Sequence, residues 1–353
     1  MTTPGHPSGS PALGLKQAWY VACSSRDLER RPLARTVLGQ PMVLFRGGDA
    51  TPTALLDRCA HRNVPLSIGT LIDGRIECRY HGWQYGTSGR CEKIPGLCDG
   101  FDRIARNVPH FATIEENGLI WVYGSPDETP STRPFALAPL DSGATEVRRV
   151  VNVESPLHPA LENALDVPHT AVLHHGLFRG ARVPHRIKAR VSRTAQGVQA
   201  EYIGEPRPEG LAAKLLAPAG GVVTHVDRFI LPSIAQVEYR LGDEAHFLVN
   251  SLCTPVDEYL TRIHAVIAFR SRLPGWMVKL ALTPLANRIF RQDAGILQAQ
   301  SSSLRKFGGE HYASTAIDVL GLQIARLLRH PEAGAAAPDD HPEDWSREIE
   351  LEV

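Results

Sequence analysis

Two short motifs that each pair a cysteine with a histidine constrain this chain more than any other feature. The first is C-x-H, at Cys59 and His61, and the second, sixteen residues later, is C-x-x-H, at Cys78 and His81. Thiolates and imidazoles together are ligands of zinc and of iron–sulfur clusters. Structural zinc sites usually keep cysteine pairs and histidine pairs apart in the sequence. Here each short segment offers one ligand of each kind, which favours an iron–sulfur cluster and leaves structural zinc as the alternative.

A Rieske [2Fe-2S] cluster uses this mixture of ligands, because one iron takes two cysteines and the other takes two histidines. Two loops can then each supply one ligand to each iron. The sequence resembles the Rieske family in CAHR, PLSIG, CRYHGWQY, Gly89, Cys91 and, at 94–96, IPG. The resemblance implies four cluster ligands, which are Cys59, His61, Cys78 and His81. Trp83 is expected to shield the cluster.

A second group of candidate ligands lies in the segment ENALDVPHTAVLHHG, where Asp166, His169 and His174 form D-x-x-H-x(4)-H. Side chains five positions apart on a regular helix point about 140° away from each other. One metal can therefore bind both histidines only if the helix is broken or contains a π-type bulge. Pro168 favours irregular backbone at this point. His175 is the alternative ligand if the local register differs.

This spacing resembles the mononuclear iron motif of Rieske non-heme iron oxygenases, where it also follows the Rieske domain. The resemblance implies that His169 and His174 bind Fe(II) and that a carboxylate from a C-terminal helix completes the ligand set. The segment FRQDAGILQAQ, residues 290–300, resembles that helix, with Asp293 as the ligand. The weaker candidates for the carboxylate lie in or beside alternating strands: Asp227, Glu238 and Asp243.

The same resemblance assigns roles to two further residues. Asp166 is expected to bridge His169 to a cluster histidine of the neighbouring subunit, since each imidazole has a second nitrogen that can donate to one carboxylate. The alternative for Asp166 is a charge that favours a helix N-terminus. Asn163 is expected to lie near the iron. Electron transfer between subunits implies a head-to-tail oligomer, typically a homotrimer.

The hydrophobic pattern predicts an α+β fold. Short β-like runs between Trp19 and Tyr123, separated by glycine and proline turns, predict a small all-β domain. A helical stretch at 158–175, alternating strands and a long helical segment at 274–305 follow. The resemblance implies that the second domain is a helix-grip, START-like catalytic domain. The predicted divisions are a mobile arm at 1–15, the Rieske domain at 16–126, a linker at 127–134, the catalytic domain at 135–330 and a mobile acidic tail at 331–353.

Composition narrows the classes of partner. Lysine and arginine total 38 and aspartate and glutamate total 38, so no net field favours nucleic acid or an anionic membrane. No apolar run reaches the ~20 residues of a transmembrane helix. The N-terminus lacks the basic and apolar regions of a secretory signal, so we expect a cytoplasmic protein with reduced cysteines.

The resemblance implies a terminal oxygenase component that uses O2 to oxidise a small organic substrate, bulky and largely apolar. The chain has no G-x-G-x-x-G motif after a strand, so an NAD(P)H-dependent reductase, in some systems with a ferredoxin, is expected to supply electrons. Within the family that the chain resembles, a length of 353 residues is more similar to the monooxygenase and demethylase branch than to the longer dioxygenases. The alternative is a Rieske-type electron-transfer protein, which would not need His169, His174 and Asp293.

Overall fold

The computed structural model describes residues 13–29, 31–97, 106–137, 140, 143–174, 185–206, 223–242, 245–271, 274–330 and 346–352. Contacts within the chain divide it into two units. The first consists of Leu15–Leu137 with Thr254–Asp257, and the second lies within Ala138–Cys253 and Glu258–Val353. None of the helices in these ranges is long and apolar enough to cross a membrane.

The first unit is built from short strands joined by tight turns. Its strands are β1 Trp19–Ser24, β2 Leu33–Val37, β3 Gln40–Arg46, β4 Pro52–Leu56, β5 Thr70–Ile72, β6 Arg75–Glu77, β7 Gln84–Tyr85, β8 Cys91–Lys93, β9 His110–Phe111, β10 Thr113–Glu116 and β11 Leu119–Tyr123. They form three antiparallel sheets, in the orders β1-β11-β10, β2-β3-β4-β9 and β5-β6-β7-β8. Aromatic and β-branched residues favour such strands, and every residue of β11 is buried. The predicted all-β domain is confirmed.

A single eight-stranded sheet forms the second unit. Its strands are β12 Thr145–Val153, β13 Arg186–Thr194, β14 Gly197–Ile203, β15 Val223–Ile230, β16 Ile234–Leu241, β17 Ala245–Asp257, β18 Leu260–Ser271 and β19 Ser346–Glu352. Their order in the sheet is β12-β18-β17-β16-β15-β14-β13-β19. Two runs with continuous alternation in the sequence are hairpins, β13 with β14 and β15 with β16, and they close at the pairs Thr194–Gly197 and Ile230–Ile234.

Four segments of the described chain form α-helices in this unit. They are α1 Leu157–Leu165, α2 Pro168–Leu173, α3 Gly275–Phe307 and α4 Gly321–Arg329. The helical stretch predicted at 158–175 consists of two helices, because Asp166 is extended (φ −95°, ψ 114°) between α1 and α2, as the predicted break requires. Pro168 explains the break: inside a continuous helix its ring would clash with the carbonyl four residues earlier, whereas at the first position of α2 it is tolerated.

The C-terminal strand corrects the predicted tail. Residues 331–353 were expected to form a mobile acidic tail, but Ser346–Glu352 forms β19 at the edge of the sheet, antiparallel to β13. Ile349 and Leu351 alternate with charged residues and are buried in the core of the unit. This period-two burial of apolar side chains holds the strand in place despite its acidic composition.

The prediction of a linker between the two units also needs correction. Residues 127–134 belong to the first unit, where the Trp19 indole N–H donates a hydrogen bond to the Thr132 carbonyl at 2.9 Å. A buried indole N–H requires such a partner, so this segment is held against β1. With an all-β first unit and a sheet-and-helix second unit, the predicted α+β fold is confirmed.

Candidate metal centres

Two loops of the first unit carry the predicted cluster ligands, and both loops are closed in the same way. The Asn63 amide donates to the Cys59 carbonyl at 3.0 Å, and the Gly82 amide donates to the Cys78 carbonyl at 2.9 Å. The fifth residue of each loop has a left-handed conformation, with φ 60° at Asn63 and 70° at Gly82. Asparagine and glycine are the residues that adopt this conformation most readily. Each histidine therefore lies within a closed five-residue turn that begins at its cysteine.

The four predicted cluster ligands lie together at these loops. Cys59 and Cys78 are buried, and the ring centroids of His61 and His81 are 4.5 Å apart. His61 Nδ1 is buried and has no hydrogen-bond partner among the described residues, as expected for a nitrogen that binds a metal. Burial raises the pKa of the Cys78 thiol, so a thiolate at this position requires a neighbouring cation. The donor set therefore fits a Rieske [2Fe-2S] cluster.

Two aromatic residues complete this centre. Trp83 stacks on His61 with ring centroids 4.8 Å apart and planes 4° apart, so it covers one face of this predicted ligand, and its shielding of a cluster stays a prediction. Tyr85 was not anticipated, although it ends the CRYHGWQY motif. Its oxygen accepts a hydrogen bond from the Ala60 amide at 3.1 Å and lies 3.2 Å from Cys59 Sγ. Its proton is thus available to the sulfur, and hydrogen bonds to ligand sulfurs tune the reduction potential of such clusters.

The second centre lies where α1 ends and α2 begins. Asp166 Oδ2 accepts a hydrogen bond from the His169 backbone N–H at 3.0 Å and lies 3.1 Å from His169 Nδ1. His174 follows the end of α2 and is no longer helical, with φ −103° and ψ 27°. The break that the histidine spacing requires is therefore present, and it results from the end of a short helix.

Three predicted ligands of the second centre converge on one point. His174 Nε2 lies 3.1 Å and His169 Nε2 lies 3.6 Å from Asp293 Oδ1, and one ligand atom from each residue lies within 4.8 Å of the others. Asp293 Oδ1 is buried, and within the described part of the chain no group donates a hydrogen bond to it. Two imidazole lone pairs and one carboxylate form a set that a cation satisfies. This 2-His-1-carboxylate arrangement fits non-heme Fe(II).

The outer nitrogens of both histidines contact acceptors. Asp166 Oδ2 faces His169 Nδ1, and Gln292 Oε1 lies 3.1 Å from His174 Nδ1. Because a carboxylate or amide oxygen only accepts, each Nδ1 carries the proton and each Nε2 keeps its lone pair for the metal. Gln292 was missed by the sequence reasoning, and its position directly before Asp293 is the only signal that could have indicated it.

The local charge also favours a cation. Burial lowers the pKa of His169, but its interactions with the carboxylates of Asp166 and Asp293 outweigh burial and raise that pKa to about 9. The site therefore has a negative potential that stabilises positive charge. His174, at 2% exposure, is shielded from water, which strengthens this attraction.

The alternative candidates for the iron ligands either make other contacts or lie outside the described residues. Asp227 Oδ1 lies 2.9 Å from His225 Nε2, and Glu238 is bound by two arginines and a histidine. Neither belongs to the group formed by His169, His174 and Asp293. His175 and Asp243 lie outside the described residues.

A cavity of about 990 Å³ opens beside the second centre. Asn163, Asp166 and His169 line it together with apolar residues, of which Val172 is 82% exposed. Asn163 therefore lines the same cavity as His169, and its place near a bound iron stays a prediction. The carboxylate that contacts His169 is therefore accessible from outside the unit.

Each half of the chain matches a known protein family. The Rieske [2Fe-2S] domain family matches residues 18–109, and the vanillate O-demethylase oxygenase C-terminal domain family matches residues 153–332. The oxygenase component of dicamba O-demethylase from Stenotrophomonas maltophilia is 32% identical over 164 residues, which are 45% of this chain and 48% of that protein. Methylxanthine N1-demethylase NdmA from Pseudomonas putida is 27% identical over 328 residues, which are 89% of this chain and 88% of that protein.

The fold is also found among solved structures. The crystal structure of dicamba monooxygenase bound to dicamba superposes with a TM-score of 0.74 at 23% identity and covers 90% of this chain and 97% of its own. At this identity the likeness is one of fold. The alignments with the first five curated relatives cover 29–48% of those relatives' lengths. Since the C-terminal family match by itself spans more than half of the sequence and follows the match to the Rieske [2Fe-2S] domain, this chain belongs to the Rieske non-heme iron oxygenase family.

Proposed function

We propose that this protein is the terminal oxygenase component of a multicomponent system and uses O2 and externally supplied electrons to oxidise a largely apolar organic substrate. The observation that carries the proposal is the convergence of His169, His174 and Asp293. A Rieske protein that only transfers electrons does not need this second, three-residue metal site. Its presence in the same chain as a complete set of Rieske ligands favours the oxygenase over the electron carrier.

The proposed ligand sets have distinct tasks. Cys59, His61, Cys78 and His81 would hold the cluster, and the Nε2 atoms of His169 and His174 with the Asp293 carboxylate would hold iron. Bound iron supplies the activation of O2, which no side chain can perform. The protein contributes orientation, because Asp166 and Gln292 accept from the Nδ1 atoms and direct both Nε2 lone pairs to the metal.

Asp166 is the proposed connection between metal centres of neighbouring subunits in a homotrimer. On one side its carboxylate contacts His169, and on the other it lines the open cavity. His81 is an exposed side chain of the first unit and could reach such a carboxylate from a second copy. A carboxylate that accepts from both imidazoles would fix their orientation and give the electron a short hydrogen-bonded path.

The proposed reaction is a single-site oxidation, either hydroxylation or demethylation. Two relatives are demethylases by name, and one of them aligns over 89% of this chain. Electrons would come from an NAD(P)H-dependent reductase, in some systems through a ferredoxin, and we place the reaction in the cytoplasm. An apolar substrate suits the core between sheet and helices, which consists mainly of aliphatic side chains.

The test is electron paramagnetic resonance on anaerobically purified full-length protein, reduced with dithionite and then exposed to nitric oxide, with iron and sulfide quantified. The oxygenase requires both a Rieske-type signal and a high-spin iron-nitrosyl signal. A Rieske signal alone in fully iron-loaded protein would identify an electron carrier. A colourless protein without either signal would contradict both functions.

A further inference from the structure

The first half of helix α3 exposes large apolar side chains. Trp276, Met277 and Leu280 are 67%, 40% and 72% exposed. Positions 276 and 280 are about one helical turn apart, so these two side chains lie on the same face of the helix. Val278, about half a turn away from both, is buried and holds the opposite face against the unit. Large apolar side chains that are grouped on one exposed face indicate a surface that meets another molecule.

The same part of the helix carries positive charge without negative charge. Lys279, Arg288 and Arg291 are exposed, and residues 275–292 contain no aspartate or glutamate. None of the three forms an ion pair with a residue that the structure describes. The chain as a whole has no net charge, but at physiological salt charges more than about 8 Å away are largely screened. A partner at this face therefore meets a local positive potential. We call residues 275–292 the α3 face.

A cavity of about 470 Å³ lies beside the basic part of the α3 face. It is lined by Pro284, Asn287, Arg288, Arg291 and Gln292. These positions are three or four residues apart in turn and therefore follow one side of the helix. Guanidinium groups present N–H donors in a planar fork that matches the oxygens of a phosphate. The cavity thus offers two such groups to a phosphate-bearing molecule.

The arrangement of apolar and basic side chains fits a membrane surface better than a protein partner. Helices that lie in a membrane interface insert apolar side chains at the boundary of the acyl chains and place lysine and arginine at the headgroups. Tryptophan is enriched at this depth, and the long stem of a lysine lets its ammonium return to the headgroups. A second copy bound symmetrically to the same face would bring two sets of unpaired cations together, which opposes that contact.

We propose that the α3 face docks this protein on the surface of an anionic phospholipid bilayer. The apolar side chains of the face enter the boundary with the acyl chains, and its three cations contact the lipid phosphates. The face ends at Gln292, directly before the proposed iron ligand Asp293, so the bilayer lies against the helix that carries this ligand. Largely apolar molecules accumulate in a bilayer. Docking therefore goes beyond the proposed oxidation and places the enzyme where such molecules are concentrated.

The experiment measures co-sedimentation of full-length protein, loaded with cluster and iron, with large unilamellar vesicles. One set of vesicles is pure phosphatidylcholine, and the other is an equimolar mixture of phosphatidylcholine and phosphatidylglycerol. The double variant Trp276→Ser/Lys279→Gln removes one aromatic side chain and one cation of the α3 face. Its matched control is Lys306→Gln/Phe307→Ser, because Phe307 is also 67% exposed and lies on the same helix, about 46 Å from Trp276 along the axis.

We expect the unmodified protein to bind the anionic vesicles at least about tenfold more tightly than the neutral ones, since each lysine or arginine near an anionic surface contributes about fivefold. Trp276→Ser/Lys279→Gln should weaken binding by more than about fivefold, and Lys306→Gln/Phe307→Ser should leave it unchanged. Arg288→Gln, which removes an exposed side chain without a described ion-pair partner, should weaken binding about fivefold. Added salt should release the protein.

The visible spectrum of the cluster and the melting temperature check that every variant is folded. Equal binding to both kinds of vesicle, no binding to either, or unchanged binding of Trp276→Ser/Lys279→Gln would each overturn the inference. A change in the oligomer mass of this variant in light scattering, without vesicle binding by the unmodified protein, would assign the α3 face to a contact between copies of the chain instead.

The proposed function fails separately. Protein that binds anionic vesicles but gives no iron-nitrosyl signal would keep the docking surface and lose the oxygenase. Protein that gives both paramagnetic signals but does not bind vesicles would keep the oxygenase and refute the docking surface.

Discussion

Gln292 offers a sharp test of the proposed iron site, because its contact with His174 is visible only in the structure. Its Oε1 lies 3.1 Å from His174 Nδ1, and His174 is 2% exposed. Loss of an outer partner of a metal-binding histidine typically lowers metal affinity by about 10- to 100-fold, or about 1.4 to 2.8 kcal/mol. We expect Gln292→Leu to weaken Fe(II) binding within this range, because the ring loses the contact that directs Nε2 towards Asp293.

The assay is anaerobic competition for Fe(II) between the protein and a chromogenic chelator, with the visible spectrum of the cluster as an internal check on folding. Gln292→Glu keeps an acceptor for Nδ1 and should retain most of the affinity. Gln298→Leu is the matched control, since it lies on the same helix and its amide donates to the exposed Glu154 at 3.1 Å. If Gln292→Leu binds Fe(II) as tightly as Gln298→Leu does, the reasoning about the histidine tautomer is refuted.

Three further predictions concern the proposed roles. His169→Ala should abolish the iron-nitrosyl signal and turnover but keep the visible cluster spectrum, and a bleached variant would show that this residue is misassigned. Asp166→Asn should keep both metals but slow electron delivery in single-turnover experiments, whereas a normal rate would contradict its bridging role. Tyr85→Phe removes the hydroxyl that lies 3.2 Å from Cys59 Sγ. A hydrogen bond from this hydroxyl to the sulfur stabilises the reduced cluster, which carries more negative charge. Spectroelectrochemistry of the variant should therefore find a reduction potential lower by about 40 mV, equivalent to about 1 kcal/mol for one electron. A potential unchanged within error would place the tyrosine proton elsewhere.

The arrangement of the predicted cluster ligands follows largely from local sequence, because all four lie between residues 59 and 81. Cys59 to His81 spans two short loops, and each loop closes on itself through a backbone bond from its fifth residue to its first. The residue types that permit this closure, Asn63 and Gly82, stand in the motifs themselves. The contact between Tyr85 and Cys59 was not predicted, because it depends on the position of strand β7 relative to the first loop.

The iron site could be predicted only in part. The histidine spacing required a break in the helix, and Pro168 indicated the position of that break. The extended conformation of Asp166 and the end of α2 before His174 could not be predicted from the sequence. The hairpins and the edge strand β19 were missed for a related reason. Alternation of apolar residues identifies a strand but not its register or its partner.

The amino-acid sequence was enough to predict candidate ligands for both metal centres, the order of an all-β unit and an α+β unit, and the family, because these depend on residue chemistry and local spacing. The contact of Gln292 with His174, 118 positions away, and the burial of Glu205, His225 and Asp227 in one polar cluster are visible only in the folded protein. Such contacts follow from the register of neighbouring strands and from the packing of helices on the sheet. Both are properties of the assembled core, and no short stretch of sequence specifies them.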